Sequence, residues 1–195
     1  VDDSYFSTID TEAKAYWLGF LYADGCVNVM TKPGGATKGS VVLVLAEKDK
    51  AHVEQFARDL AFAGPVYSKA AKRTMIGTKV VNATQQWGVT ISRQAVREQL
   101  IRLGCTPRKS LTLRWPTEEQ VPRHLLNHFV RGYFDGDGSI SLSKEATRDR
   151  YKVSLLGTHH FLVGLHGYLA SRGVNPTAVR LFHGHHILGY GGNNV

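Results

Sequence analysis

The apolar positions of this chain fall into two successive series with the same order of periods. Residues 17–27 read WLGFLYADGCV and residues 130–140 read VRGYFDGDGSI. Gly19 matches Gly132, Asp24 matches Asp137 and Gly25 matches Gly138, with Phe20 opposite Tyr133 and Leu21 opposite Phe134. A repeat of this kind constrains the architecture before any single element does. Each copy reads as an apolar, glycine-bearing helix that ends at its final aspartate. After Gly25 the run CVNVM alternates, TKPGGATKG interrupts it and SVVLVLA resumes; after Gly138 the series is SISLS, KEATRDR and YKVSLL. Period-two alternation on either side of turn-forming residues predicts a β-hairpin in each half. An amphipathic helix follows each hairpin. The first has Asp49 as N-cap and Val53, Phe56, Ala57 and Leu60 as its stripe. The second has Thr158 as N-cap and Phe161, Leu162, Leu165 and Leu169 as its stripe. Gly64 and Gly173 close them.

A second pair of strands is expected near 65–72 and 83–91, and again near 176–183 and 185–190. The first half then adds a helix over about 93–104, with Val96, Leu100 and Leu103 on one face. The segment TPRKSLTLRWPTEEQVP (106–122) contains three prolines and no helical period, so it reads as a connector. The fold class is therefore α+β. Two halves, 1–105 and 122–195, are joined by a linker at 106–121. Each half runs α-β-β-α-β-β, the first with a closing helix, and a pseudo-two-fold axis relates them. Residues 191–195, GGNNV, resemble SRQAV at 92–96, where the first half begins its closing helix. The second half lacks a counterpart to 97–104, so its last strand is expected to be under-covered and the natural polypeptide to be longer.

Charge adds a partner to this scaffold. Lys and Arg number 24 against 16 Asp and Glu, a formal net charge of +8. That excess favours a polyanion, nucleic acid first and an anionic membrane surface second. A hydrophobic content of 43% excludes a disordered basic tail. No apolar run reaches the ~18 residues of a membrane-spanning helix. The chain opens VDDSYF, with neither a charged leader nor an apolar signal region. Cys26 and Cys105 do not make a disulfide framework. The expected setting is a reducing one, the cytoplasm beside the nucleoid or an organelle.

The chemistry starts from small residues. Ala15, Gly19 and Ala23 recur at every fourth position of the first motif helix. Gly132 and Gly136 do so in the second, where His128 takes the place of Ala15. Such ridges let two helices meet almost backbone to backbone. If they face each other, Asp24 and Asp137 come side by side where the halves join. Two carboxylates that close repel unless a cation lies between them, and hard oxygen ligands suit Mg²⁺ (or Mn²⁺) better than zinc. A metal held there can activate water and stabilise both oxygens of a phosphodiester displacement. One DG pair after a helix is most often just a helix end. Two, each entering an alternating strand, make that explanation a poor one. The histidines, including His159, His160, His183, His185 and His186, have no Cys partner and no HExxH spacing, which favours surface or DNA-contacting roles over a zinc site.

The strands supply a candidate DNA face. Asn28 alternates with Val27 and Val29. Ser139, Ser141 and Ser143 alternate with Ile140 and Leu142, which are expected in the core. Arg150, Lys152 and Ser154 lie opposite Tyr151, Val153 and Leu155. Lys32, Lys69, Lys72, Arg73 and Arg180 add charge, while Val42 and Val44 make the second strand of this face less polar. One apolar and one Ser/Asn/Lys/Arg face suit a β-sheet reader in the major groove.

WLGFLYADG and VRGYFDGDG resemble the paired motifs of the LAGLIDADG (dodecapeptide-type) homing endonucleases. The similarity extends over nearly the whole chain as a two-motif, single-chain member. The resemblance implies motif helices at the interface, final acids that bind catalytic metals, and four-stranded sheets forming a saddle over double-stranded DNA. It implies a monomeric endonuclease that cuts a long site. Asp24 and Asp137 carry over as the catalytic, metal-binding acids, and the carbonyls of Ala23 and Gly136 as further ligands. Asp135 fills the other acidic position of the motif, which Tyr22 replaces in the first copy. Glu47 and Lys48, and Ser92 and Arg93, fall where the family places polar or basic residues around the attacking water. The alternative is a non-cutting relative, an RNA maturase or a DNA-binding regulator with a vestigial site. With no nucleophilic first residue and no terminal His-Asn pair, a complete intein is not expected, although the chain would suit the endonuclease portion of one.

Overall fold

A computed structural model of the protein describes the chain except residues 36, 77–78, 145–148, 176 and 192–195. At residues 72–74, 76, 79–83, 143–144, 149–150 and 191 it describes the backbone alone. The first half runs α1 (Glu12–Ala23), β1 (Cys26–Thr31), β2 (Thr37–Ala46), α2 (Lys50–Asp59), β3 (Tyr67–Lys69), β4 (Lys72–Ile76), β5 (Lys79–Ala83), β6 (Gln86–Ile91) and α3 (Gln94–Arg102). A four-residue helix, α4 (Lys109–Thr112), sits in the connector. The second half runs α5 (Leu126–Asp137), β7 (Gly138–Lys144), β8 (Asp149–Gly157), α6 (His159–Ser171), β9 (Arg180–Phe182) and β10 (His185–Gly191).

Two antiparallel four-stranded sheets repeat one strand order, β1-β2-β6-β3 and β7-β8-β10-β9. Their registers correspond as well. Val27 pairs with Val41 and Val41 with Ile91, while Ile140 pairs with Val153 and Val153 with Tyr190. Because side chains alternate along a strand, this register gathers Val27, Val41, Leu43, Val89 and Ile91 on one buried face. The stripe of α2 (Val53, Phe56, Ala57, with Leu60 just beyond) and that of α3 (Val96, Leu100) are buried with them. Each such side chain contributes roughly 1.5–3 kcal/mol of burial. No helix among the described residues is long and apolar enough to cross a membrane.

Four local expectations are corrected. A hairpin of its own, β4–β5, stands between β3 and β6 as a separate two-stranded sheet, where the alternation suggests a single strand pair. Thr158 caps α6 by accepting from the Phe161 N–H at 3.2 Å, but Asp49 makes no capping bond. A 3₁₀ turn over Glu47–Asp49 leads straight into α2, so Asp49 lacks the extended backbone of an N-cap. The left-handed residue past α2 is Ala61 (φ 47°), not Gly64, whereas Gly173 (φ 79°) ends α6 as expected. Finally, Ile140 and Leu142 are 63% and 45% exposed, against 4% for Val27, the first-half counterpart of Ile140. In the first half α3 lies over β1 and β2, and its buried Arg97 donates to the Gly39 carbonyl at 3.2 Å. Among the described residues no helix covers the matching face of β7 and β8. Residues 192–195, whose likeness to the start of α3 the sequence suggests, lie outside the described set.

Candidate active site

The site begins with the contact between α1 and α5. Thr11 caps α1 by accepting from the Lys14 N–H, and the apolar residues that follow are buried from Trp17 to Ala23. A Cβ added at Gly19 would lie 1.9 Å from the Phe129 carbonyl oxygen, and one at Gly132 would lie 2.0 Å from that of Tyr16. The two backbones therefore touch at these glycines. Ala15 is fully buried nearby, and His128 points its Nε2 at Glu12, 3.4 Å away. Such close packing brings both helix ends to one place. There the Asp24 carboxylate lies over Gly136, whose added Cβ would come within 3.3 Å of Asp24 Oδ2 and 2.4 Å of the Ala23 Cβ.

Proximity shows in the acidity of Asp24. Burial, and then the charge of Asp137, push Asp24 up to about 6, against the pull of Lys109. Burial also raises Asp137, opposed by Lys109 and by the Tyr133 hydroxyl. A carboxyl raised in the fold contributes stability that is present below its unfolded range and lost as pH climbs through the folded value. Stability should therefore fall between about pH 4 and pH 6 in metal-free buffer. A shift of this size is worth ~3 kcal/mol, and the solvent that reaches one side of the Asp24 carboxylate screens it to about 1 kcal/mol. Asp24→Asn is expected to flatten that part of the pH profile and to gain about 1 kcal/mol at neutral pH. Urea midpoints measured across the range without divalent ions check this, and parallel profiles would refute it.

The two flanks of the paired aspartates differ. On one side a cavity of about 550 Å³ is lined by Asp24, Lys48, Asp49, His52, Asp135 and Gly136, among others. The Tyr16 hydroxyl donates to Asp135 Oδ2 at 2.8 Å and lies 3.2 Å from His52 Nε2. With its one proton given to Asp135, Tyr16 accepts from His52. Burial pulls His52 below the ordinary histidine range, and its ring packs against Trp17 and Phe20. On the other side the connector closes in. Lys109 of α4 donates its ammonium to the Ala23 carbonyl, and the buried Tyr22 hydroxyl donates to the Leu103 carbonyl. Lys109, His52 and Tyr16 carry no sequence signal that singles them out. Lys109 in particular is an isolated lysine in a segment that reads as a connector.

Two acids and two main-chain carbonyls make an all-oxygen set, which fits a hard divalent cation. No group of three or more His, Cys, Asp or Glu among the described residues could hold a metal ion by itself. The carbonyls of Ala23 and Gly136 would thus be needed to complete a site. Of the four support residues, Lys48 lines the cavity beside Asp24. Glu47 is exposed in the turn before α2, and Ser92 is exposed ahead of α3. Arg93 pairs with Asp3 at 2.8 Å and would have to leave that partner to reach a phosphate.

The register sets the remaining candidates on the sheet surfaces. Asn28, paired with Ser40, is exposed on the face of β1 opposite Val27, and Lys69 is exposed on β3. Val42 and Val44 share the outer face of β2 and are half-buried. In the second sheet Ser139 pairs with Ser154 and Ser141 with Lys152, away from the buried Leu155. Arg180 is exposed on β9, and Lys32 lies in the turn between β1 and β2. Lys72, Arg73, Ser143 and Arg150 occupy strands, and their side chains lie outside the described set.

No family model and no curated protein matches the sequence. Solved structures do match the fold. The LAGLIDADG meganuclease I-AabMI, bound to uncleaved DNA, is 11% identical with a TM-score of 0.51, over 90% of this chain and 76% of that one. A substituted form of I-DmoI, in complex with nicked target DNA in the presence of manganese, is 16% identical with a TM-score of 0.54, over 96% and 89%. The LAGLIDADG homing endonuclease I-LtrWI, bound to target DNA, is 11% identical with a TM-score of 0.54, over 97% and 78%. The chain is thus built on the single-chain LAGLIDADG homing endonuclease fold.

Proposed function

We propose that this protein is a site-specific, double-strand DNA endonuclease that hydrolyses phosphodiester bonds with a divalent metal at Asp24 and Asp137. The observation that carries this reading is the meeting of those two acids, from two close-packed glycine-bearing helices, at the junction of two sheets with polar outer faces. Support comes from the fold neighbours, I-AabMI and I-LtrWI among them, which are bound to DNA. The net charge of +8 supports it as well.

Asp24 and Asp137, with the carbonyls of Ala23 and Gly136, would hold Mg²⁺ or Mn²⁺, which supplies an activated water and charge stabilisation for the displacement. Asn28, Lys32, Lys69, Ser139, Ser141, Lys152 and Arg180 would bind the duplex, the cations on phosphates and the neutral polar groups on base edges. Lys72, Arg73, Ser143 and Arg150 belong to the same proposed set. Lys48 sits where its charge would steady a phosphate beside Asp24. Glu47, Ser92 and Arg93 form an outer ring of polar support. The Tyr16–Asp135 hydrogen bond holds one wall of the cavity in place.

Incubation with target-bearing plasmid should give linear product with Mg²⁺ and none with EDTA, the targets being selected from a randomised DNA library. Tight binding with no cutting in Mg²⁺ or Mn²⁺ would instead establish a maturase or regulator. Binding should also be steeply salt-dependent. With six to ten phosphate contacts, log K is expected to fall with log[salt] at a slope of roughly −5 to −9. A slope shallower than about −2 would remove DNA as the main partner.

A further inference from the structure

The pseudo-two-fold repeat pairs each acid with the carbonyl that precedes the acid of the other helix. Asp24 lies over Gly136, and the repeat makes Asp137 and Ala23 the counterpart set. The structure treats these two sets differently. The Asp24 and Gly136 set faces the cavity lined by Lys48, Asp49 and His52. In the other set the Lys109 ammonium already donates to the Ala23 carbonyl, and its charge acts on both aspartates. Behind it the connector is packed, with Cys105 and Leu103 buried and Tyr22 tied to the Leu103 carbonyl. An ammonium offers three donors and no lone pair, so it competes with a metal ion for carbonyl and carboxylate oxygens. It also brings positive charge to the place where a second divalent cation would have to sit, and two like charges that close repel strongly.

We propose that this protein binds a single divalent cation, on the Asp24 and Gly136 side, and that the Lys109 ammonium takes the place of a second cation beside Asp137 and Ala23. The inference rests on the metal-site reading above and assigns one of its two halves to an internal cation. Lys109 is then a positioning residue, since it holds the Ala23 carbonyl and its charge favours the ionised form of Asp137 without needing to touch DNA.

The test counts ions and needs no cleavage. Mn²⁺ bound to the full chain is titrated by electron paramagnetic resonance and by calorimetry. Wild type should take one ion per chain, and Lys109→Met should take two. Lys109→Arg, which keeps a cation on the connector, should remain at one. Asp24→Asn should lose the single ion and Asp137→Asn should keep it. These aspartate variants decide the matter even if Lys109→Met fails to fold. Two ions in wild type, or one ion lost equally from both aspartate variants, would overturn the assignment of Lys109 while leaving the metal-site reading intact. No ion bound by any of the proteins would overturn both.

Discussion

Replacing Asp24 or Asp137 by asparagine is expected to abolish double-strand cleavage while leaving DNA affinity intact. The amide keeps the volume of each helix end, so the contact between α1 and α5 survives. What changes is charge at a site where burial already raises both carboxyls and the charge of Asp137 raises Asp24 further. Asp24→Asn leaves a weaker ligand for a hard cation, which does less to activate bound water, and Asp137→Asn leaves the Lys109 charge uncompensated beside the metal site. Loss of activity on the order of a hundredfold or more corresponds to about 2.7 kcal/mol of barrier. Affinity should hold or rise slightly, because a carboxylate beside phosphates repels them. Asp49 is an unsuitable control, since it lines the cavity next to Asp24. Glu119, exposed in the connector, serves better, and Glu119→Gln should cut normally. Gel shifts in Ca²⁺ and plasmid cutting in Mg²⁺ separate the two properties. Wild-type cutting by both aspartate variants would reduce the pair to helix terminators.

The second large effect is structural. Gly19→Val and Gly132→Val should each prevent stable folding. The added Cβ alone would lie 1.9 Å or 2.0 Å from a carbonyl oxygen of the facing helix, and a backbone atom cannot rotate away as a side chain can. Relief requires the helices to separate, which would loosen the buried contacts of Trp17, Phe20, Phe129 and Tyr133 around them. A penalty of about 4 kcal/mol or more is expected, against a typical total of ~5–15 kcal/mol. Gly167 offers the contrast. It lies inside α6, where an added Cβ meets nothing within 4 Å. Gly167→Ala should therefore be neutral or stabilising by up to ~1 kcal/mol. Soluble yield and urea midpoints for the three variants test this. A Gly132→Val protein as stable as wild type would mean that the helices do not pack at this glycine.

Much of the candidate site was legible because its ingredients are local. The glycines and aspartates of the two motifs sit within one helix each, and helical spacing aligns Ala15, Gly19 and Ala23 whatever surrounds them. The match between two copies then implies a symmetric meeting of Asp24 and Asp137. The polar face of each sheet was legible for the same kind of reason, since Asn28 or Ser141 is set opposite its neighbours by period two alone. Asp49 shows the limit of local inference. Its residue type suits an N-cap, yet the 3₁₀ turn before it changes the backbone that a cap requires.

The order of residues is enough to define the two halves, their motif helices, the sheet-forming strands and the sides on which strand residues lie. Those properties depend on periods of a few residues and on a repeat that can be counted. What covers each side is settled by long-range packing alone. Alternation places Ile140 opposite the serines of its strand but cannot say whether a helix will lie over it, as α3 lies over Val27. The structure likewise decided the unequal flanks of the aspartates. It brought Lys109 from the connector onto the Ala23 carbonyl, and His52 from α2 beside Tyr16 and the cavity that Asp24 lines. Contacts between segments so far apart in the chain leave no period to read, because they are fixed by how whole helices and sheets pack.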